Sequence, residues 1–169
     1  PPPHTMAAGS ALPVREPAIP HTSGAVLQPG DTVVDLGANV GYDTRLASRK
    51  VGARGRVVAI EASSDIFAQL QVNLGLNDLA NVRAEHVAVS NAEGELVLYG
   101  GDAGNQGRTS SLAREGLAPI ETVPMRPLDA ILTPEERASL RMIKLDINGG
   151  TLHDLQRLHD VGLPIEEEV

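Results

Sequence analysis

A short apolar run, Thr32-Val33-Val34, leads directly into Asp35-Leu36-Gly37-Ala38-Asn39-Val40-Gly41, and Tyr42 to Val51 follows with the pattern of a helix. A passage from buried strand through glycine turn to helix start is where an open α/β sheet binds its ligand. Gly37 and Gly41 take side chains away where backbone and ligand must approach closely. The helix start offers N–H groups without intrahelical partners and a partial positive charge, which suit an anionic group.

The alternation continues along the chain. Gly52 and Gly55 close the first helix, and Arg56 to Glu61 reads as a second strand. Ser63, Ser64 and Asp65 carry cap and first-turn signals, and Ile66, Phe67, Leu70 and Leu74 mark one face of a helix that runs to Leu76. Val82 to Val89 reads as a third strand. Strands alternating with helices in this way predict βαβ units and a parallel sheet. The pattern then changes. Asn91 to Gly94 is a turn, Glu95 to Tyr99 and Ile120 to Met125 are strands, and the glycine-rich segment from Gly100 to Gly107 is a loop tip. This predicts a β excursion, antiparallel, inserted into the α/β unit. Two short turns or helices follow at Leu128 to Leu132 and Pro134 to Ser139. Met142 to Asp146 is then a fourth strand, Leu152, Leu155 and Leu158 mark a last helix, and Leu163 to Val169 is a fifth strand. Residues 1–27, rich in proline, read as a flexible arm, and 28–169 as one domain.

Composition narrows the partners. Aromatics are 2% of the chain, so Val, Leu, Ile and Ala must build the core. The absence of cysteine excludes disulfides, thiolate metal sites and a cysteine nucleophile. A net charge of −8 argues against nucleic acid or an anionic membrane as a main partner. No apolar run approaches the roughly 20 residues needed to span a bilayer. No signal peptide is visible, and the expected location is cytoplasmic. Asp146 and His153 do not have the spacing of a metal site, so no metal is expected.

Asp35 and Glu61 carry the chemistry. Each ends a predicted parallel strand, and adjacent parallel strands bring their carboxyl ends to one rim of the sheet. A carboxylate at the end of the second strand is placed to accept hydrogen bonds from two ribose hydroxyls. A dinucleotide fold uses such a residue too, but its fingerprint needs G-x-G-x-x-G. Here Asn39 stands where the glycine that admits a pyrophosphate should be. A nucleoside ligand without a pyrophosphate is therefore expected, and a nicotinamide-dependent oxidoreductase is disfavoured. Asp35 has a second reading, as a cap for neighbouring backbone N–H groups. His86 reads as a lining or packing residue rather than a base.

The run from Asp35 to Gly41 resembles the first motif of class I S-adenosylmethionine-dependent methyltransferases. The chain from about 28 to 165 resembles the FkbM family of these enzymes. The resemblance is carried by Gly55 to Glu61, Asn73 to Asn77, Ala88 to Gly94, Ser110-Ser111-Leu112, Val123 to Asp129 and Ile143 to Asp146, in the family's order. It implies S-adenosyl-L-methionine as cofactor. Gly37, Asn39 and Gly41 would line its methionine end with Asp35 nearby, Glu61 would hold the ribose hydroxyls, and His86 and Val87 would lie near the adenine. Asp146 would face the reacting centre as the catalytic candidate. The implied reaction is O-methylation of a small-molecule or glycan hydroxyl. The implied fold is α/β and Rossmann-like, a mostly parallel sheet with helices on both faces and a β-hairpin insertion.

Two departures from the family stand out. Where the family continues with valine, glutamate, glycine, alanine, glutamate, this chain reads Ile147-Asn148-Gly149-Gly150-Thr151. The chain also reaches Val169 at about strand five of a fold that has seven, so its C-terminal strands are expected to be missing. A rival reading is therefore a truncated or non-catalytic S-adenosylmethionine-binding module.

Overall fold

The computed structural model describes residues 27–100, 109–110, 116–146 and 165–167. In chain order the elements are β1 (Thr32–Leu36), α1 (Tyr42–Val51), β2 (Arg56–Glu61), α2 (Ser64–Leu76), β3 (Val82–His86), β4 (Ala88–Val89), β5 (Gly94–Gly100) and β6 (Thr109–Ser110). They continue with β7 (Ala118–Arg126), α3 (Leu128–Ile131), α4 (Pro134–Ala138), β8 (Leu140–Leu145) and β9 (Ile165–Glu167). Strands β3-β2-β1-β8-β9 form one sheet in that order, and every pairing in it is parallel. The order reverses beside β1, which is where such sheets leave a crevice at their carboxyl ends.

Side-chain alternation explains the layers. Val33, Val57 and Met142 face α1 and pack on Ala47 and Val51, while Ala59 meets Leu70 of α2. Val34, Leu36, Val58, Ile60, Ile143 and Leu145 face the other way, onto Leu128, Ile131 and Leu132 of α3 and the residue after it. Both faces are thus covered, and the β-branched runs of β1 and β2 are the composition such strands require. The first four elements have the ends that the sequence predicts. The expected fifth strand is present as β9, paired with β8.

The third strand differs from expectation. Its run from Val82 to Val89 is two strands in two sheets: β3 pairs with β2 up to His86, and β4 pairs with β7 in a second sheet ordered β4-β7-β5-β6. Val87 between them is buried in the core beside Leu128. An apolar run does not mark where its backbone changes partners. The second sheet is the expected insertion, and β5 and β7 pair antiparallel. Ala88, Leu98 and Val123 form its small core.

The start of α2 also differs. Ser63 is the N-cap, but its side chain makes no capping bond. Glu121 of β7 caps the helix from outside, accepting from the Ser64 amide at 3.1 Å and from its hydroxyl at 2.5 Å. The arm, apart from Leu27, lies outside the described residues, as do the 101–107 loop, the predicted last helix, and Asn148 and Thr151.

Gly55 sets α1 against the sheet. A Cβ there would stand 2.4 Å from Val51 Cβ and 2.6 Å from the Asp31 carbonyl oxygen. Gly55→Ala is therefore expected to lower stability by about 1–3 kcal/mol through overpacking. The urea midpoint checks this, and an unchanged midpoint would show that α1 can shift freely.

Candidate functional site

The turn between β1 and α1 is built from left-handed backbone. Gly37 has φ 73°, Asn39 φ 51° and Gly41 φ 89°. Asparagine is among the few side chains that tolerate this region. Here its Oδ1 also accepts the Val40 amide at 2.8 Å. The amides of Gly37 and Ala38 both donate to the Ile60 carbonyl, and that of Gly41 to the Ala38 carbonyl. Asn73, buried in α2, donates to the Val40 carbonyl at 2.9 Å. Each amide from Gly37 to Gly41 is thus bonded within the protein.

The fifth of those bonds joins the turn to Glu61. The Asn39 amide donates to Glu61 Oε2 at 3.0 Å, and the Ser63 amide donates to Oε1 at 2.9 Å. An ionised carboxylate has about four acceptor positions, so roughly two remain for a ligand's hydroxyls. Burial pushes the Glu61 carboxyl above its ordinary value, and the Ser63, Asn39 and Ala62 amides bring it only part of the way back.

Beneath the turn lies a charged cluster. Asp35 and Lys144 are register partners on β1 and β8, on the face toward α1. Asp35 is 1% exposed and accepts the Thr44 hydroxyl at 2.5 Å. Lys144 Nζ lies 3.3 Å from Asp35 Oδ1, 2.9 Å from Asp43 Oδ2 and 3.9 Å from Asp146 Oδ2. Burial raises the Asp35 carboxyl against the opposing pull of Lys144. Burial also works to lower the Lys144 ammonium, but the surrounding charges of Asp35, Asp43 and Asp146 outweigh it and hold the group above the ordinary lysine value.

The remaining candidates are more dispersed. His86 is the register partner of Glu61, and its ring stacks on Phe67 with centroids 5.0 Å apart. Its Nε2 lies 2.9 Å from the Ala62 carbonyl, which can only accept, so that nitrogen carries the proton. The Val87 side chain is buried in the core. Asp146 follows β8, donates its amide to the Leu36 carbonyl at 2.9 Å, and keeps its side chain 59% exposed. Asp35, Gly37, Asn39, Gly41 and Glu61 therefore form one connected unit, with His86 at one flank and Asp146 at the other. Lys144, Asp43, Thr44 and Asn73 belong to the unit too, and motif reading gave them no role. Lys144 could have been found by placing the strands of Asp35 and Lys144 side by side, since each residue precedes the last of its strand.

The arrangement defines a class: an open parallel sheet with a glycine turn and an amide-bonded carboxylate at adjacent strand ends. Residues 35–158 match the methyltransferase FkbM domain, and the chain belongs to that family. Its cofactor is S-adenosylmethionine. The solved FkbM methyltransferase from Methylobacillus flagellatus KT shares the fold, with a TM-score of 0.57 and 17% identity over 83% of this chain and 33% of that one. An arsenite methyltransferase of Halobacterium salinarum is 36% identical over 58 residues, which is 34% of this chain and 15% of that protein. A SAM-dependent methyltransferase from Aquifex aeolicus is 27% identical over 37% of this chain and 33% of that one, with a TM-score of 0.36. The chain thus spans a third or less of the length of each of these relatives. Among the described residues, no group of three or more His, Asp or Glu is placed to hold a metal ion, and no helix is long and apolar enough to cross a membrane.

Two outcomes are expected. Gly37→Val puts a β-branched side chain at φ 73°, a conformation such residues strongly resist. The variant should lose stability and cofactor binding together, and a folded variant that binds normally would remove the turn from the site. The second outcome concerns Lys144. The sequence contains two lysines, Lys50 and Lys144, so lysine side chains labelled with carbon-13 give two resonances. That of Lys144 should titrate above 10.5. Because the folded value is the raised one, its contribution to stability is complete below the unfolded value and is lost as pH rises through the folded value.

Proposed function

We propose that this chain binds S-adenosylmethionine at the β1 and β2 strand ends and directs methyl transfer to an oxygen, the hydroxyl of a small molecule or glycan. The observation that carries this reading is the Glu61 carboxylate, fixed by the Asn39 and Ser63 amides with acceptor positions to spare. The residues fit the cofactor. Glu61 would receive the ribose hydroxyls, the Gly37 to Gly41 turn would border the methionine end, and His86 with the Val87 backbone would flank the adenine. When bound, the sulfonium cofactor supplies an already activated methyl group. The protein's part is then to align an acceptor and exclude water. Asp146, exposed at the next strand end, is placed to orient or accept the proton of an acceptor hydroxyl.

A second reading is a binding module that does not turn over. It rests on Asn148 and Thr151, which occupy the positions of two glutamates in the family pattern.

Titration calorimetry with S-adenosylhomocysteine, the demethylated product, tests the site. Ligand at about 100 times its dissociation constant should stabilise the protein by roughly 2.7 kcal/mol. Glu61→Ala should lose roughly 1.5–3 kcal/mol for each charge-assisted bond, and less where water substitutes. Unchanged affinity in a folded Glu61→Ala protein rejects the ribose assignment. Hydroxyl donors favour the ionised carboxylate. Affinity should therefore weaken as pH falls through the raised Glu61 value, and Glu61→Gln should lack that dependence. Methyl transfer to hydroxyl compounds separates the readings: binding without any turnover across an acceptor panel selects the module.

A further inference from the structure

Lys144 stands at the crossing of three segments. Asp35 is where the chain leaves β1 for the turn, Asp43 is where it has entered α1, and Asp146 is where it leaves β8. One ammonium lies within 4.0 Å of a carboxylate oxygen from each. Asp35 and Asp43 bracket the Gly37 to Gly41 turn, so Nζ grips both ends of that turn, at 3.3 and 2.9 Å. The Thr44 hydroxyl makes a second link across the same span by donating to Asp35. The grip is shielded from water, since the Lys144 and Asp35 side chains are 10% and 2% exposed.

We infer that Lys144 is a positioning residue for the cofactor turn: its ammonium clamps the turn's two ends and joins them to the Asp146 segment, so that the turn is held in its binding shape. This rests on the cofactor reading above. Removing the buried ammonium leaves its partners uncompensated, and the ionic ties that hold the clamped segments to one another are lost. A turn fixed in advance binds more tightly because ordering it no longer opposes binding. Lys144 therefore acts on affinity without touching the ligand, and at its far end it links the turn to the segment that carries the candidate acceptor carboxylate.

The test is titration of S-adenosylhomocysteine into wild type and Lys144→Ala, each with and without n-propylammonium or 1-propanol. Propylammonium replaces the removed atoms with their charge, and propanol replaces them without it. Lys144→Ala should bind about tenfold more weakly or worse. Propylammonium should restore most of the loss and propanol little of it. Wild-type affinity in Lys144→Ala overturns the inference, as does rescue by both additives alike or by neither, which assigns the side chain to packing. If Lys144→Ala does not fold, the charge-compensated Lys144→Met, Asp35→Asn protein takes its place. It retains an acceptor for Thr44 but frees the Asp43 end, so weakened binding supports the clamp and wild-type affinity overturns it. Failure of the wild type itself to take up S-adenosylhomocysteine defeats the cofactor reading, and the inference with it.

Discussion

The ion pair between Asp35 and Lys144 is the constraint to which the rest of the site conforms. A carboxylate that is 1% exposed meets a large desolvation cost, and only a well-placed opposite charge with further hydrogen bonds offsets it. The fold answers part of that cost through strand register, and burial still leaves the Asp35 carboxyl raised. Asp35 and Lys144 sit side by side because β1 and β8 are adjacent and parallel, although 109 residues separate them in the chain (144 − 35). Once the pair is in place, Thr44 and Asp43 must present α1's first turn to it, which fixes where the helix begins. The glycine turn spans what is left, and its left-handed residues follow from that short path.

A second carboxylate, Glu61, is treated differently. It is answered by two backbone amides rather than by a cation. Amides hold a carboxylate in position without neutralising it. Asp35 is locked into an internal cluster, while Glu61, raised by its burial, has acceptor positions beyond those the two amides fill. Two acids at adjacent strand ends thus have different surroundings, one held by a cation and a hydroxyl and the other by backbone amides. The turn connects them, because the Asn39 amide that orients Glu61 belongs to the segment that Asp35 and Asp43 bracket.

Much of this was legible in the sequence wherever the signal is local. The glycine turn, the apolar runs of β1 and β2 and the spacing of Ile66 and Leu70 mark their elements directly, and the ordered motifs pointed to the FkbM family, to which the chain belongs. What was not legible is non-local. Lys144 looks like a strand residue until β8 is known to lie beside β1. Ser63 looks like a side-chain cap, yet the Ser64 amide and hydroxyl are held by Glu121, 57 residues away. Val87 looks like strand interior, and is the point at which the backbone leaves one sheet for another. In each case the missing information is which strands are neighbours, and hydrophobic pattern does not encode that.

The inserted sheet is bound into the site by the same logic. Its strand β7 places Glu121 at the start of α2, and Ser64, which receives that carboxylate, adjoins Ser63, whose amide holds Glu61. His86 completes the connection, with Nε2 shared between the Ala62 carbonyl at 2.9 Å and the Ser64 hydroxyl at 3.3 Å. The Glu61 carboxylate is therefore steadied from two sides. The parallel sheet supplies Asn39 through the glycine turn, and the insertion supplies Ser63 through the cap on α2. A hairpin that reads as an appendage in the sequence is thus bonded into the network around Glu61. Variation in its strands can therefore reach Glu61 without replacing any residue that bonds to it.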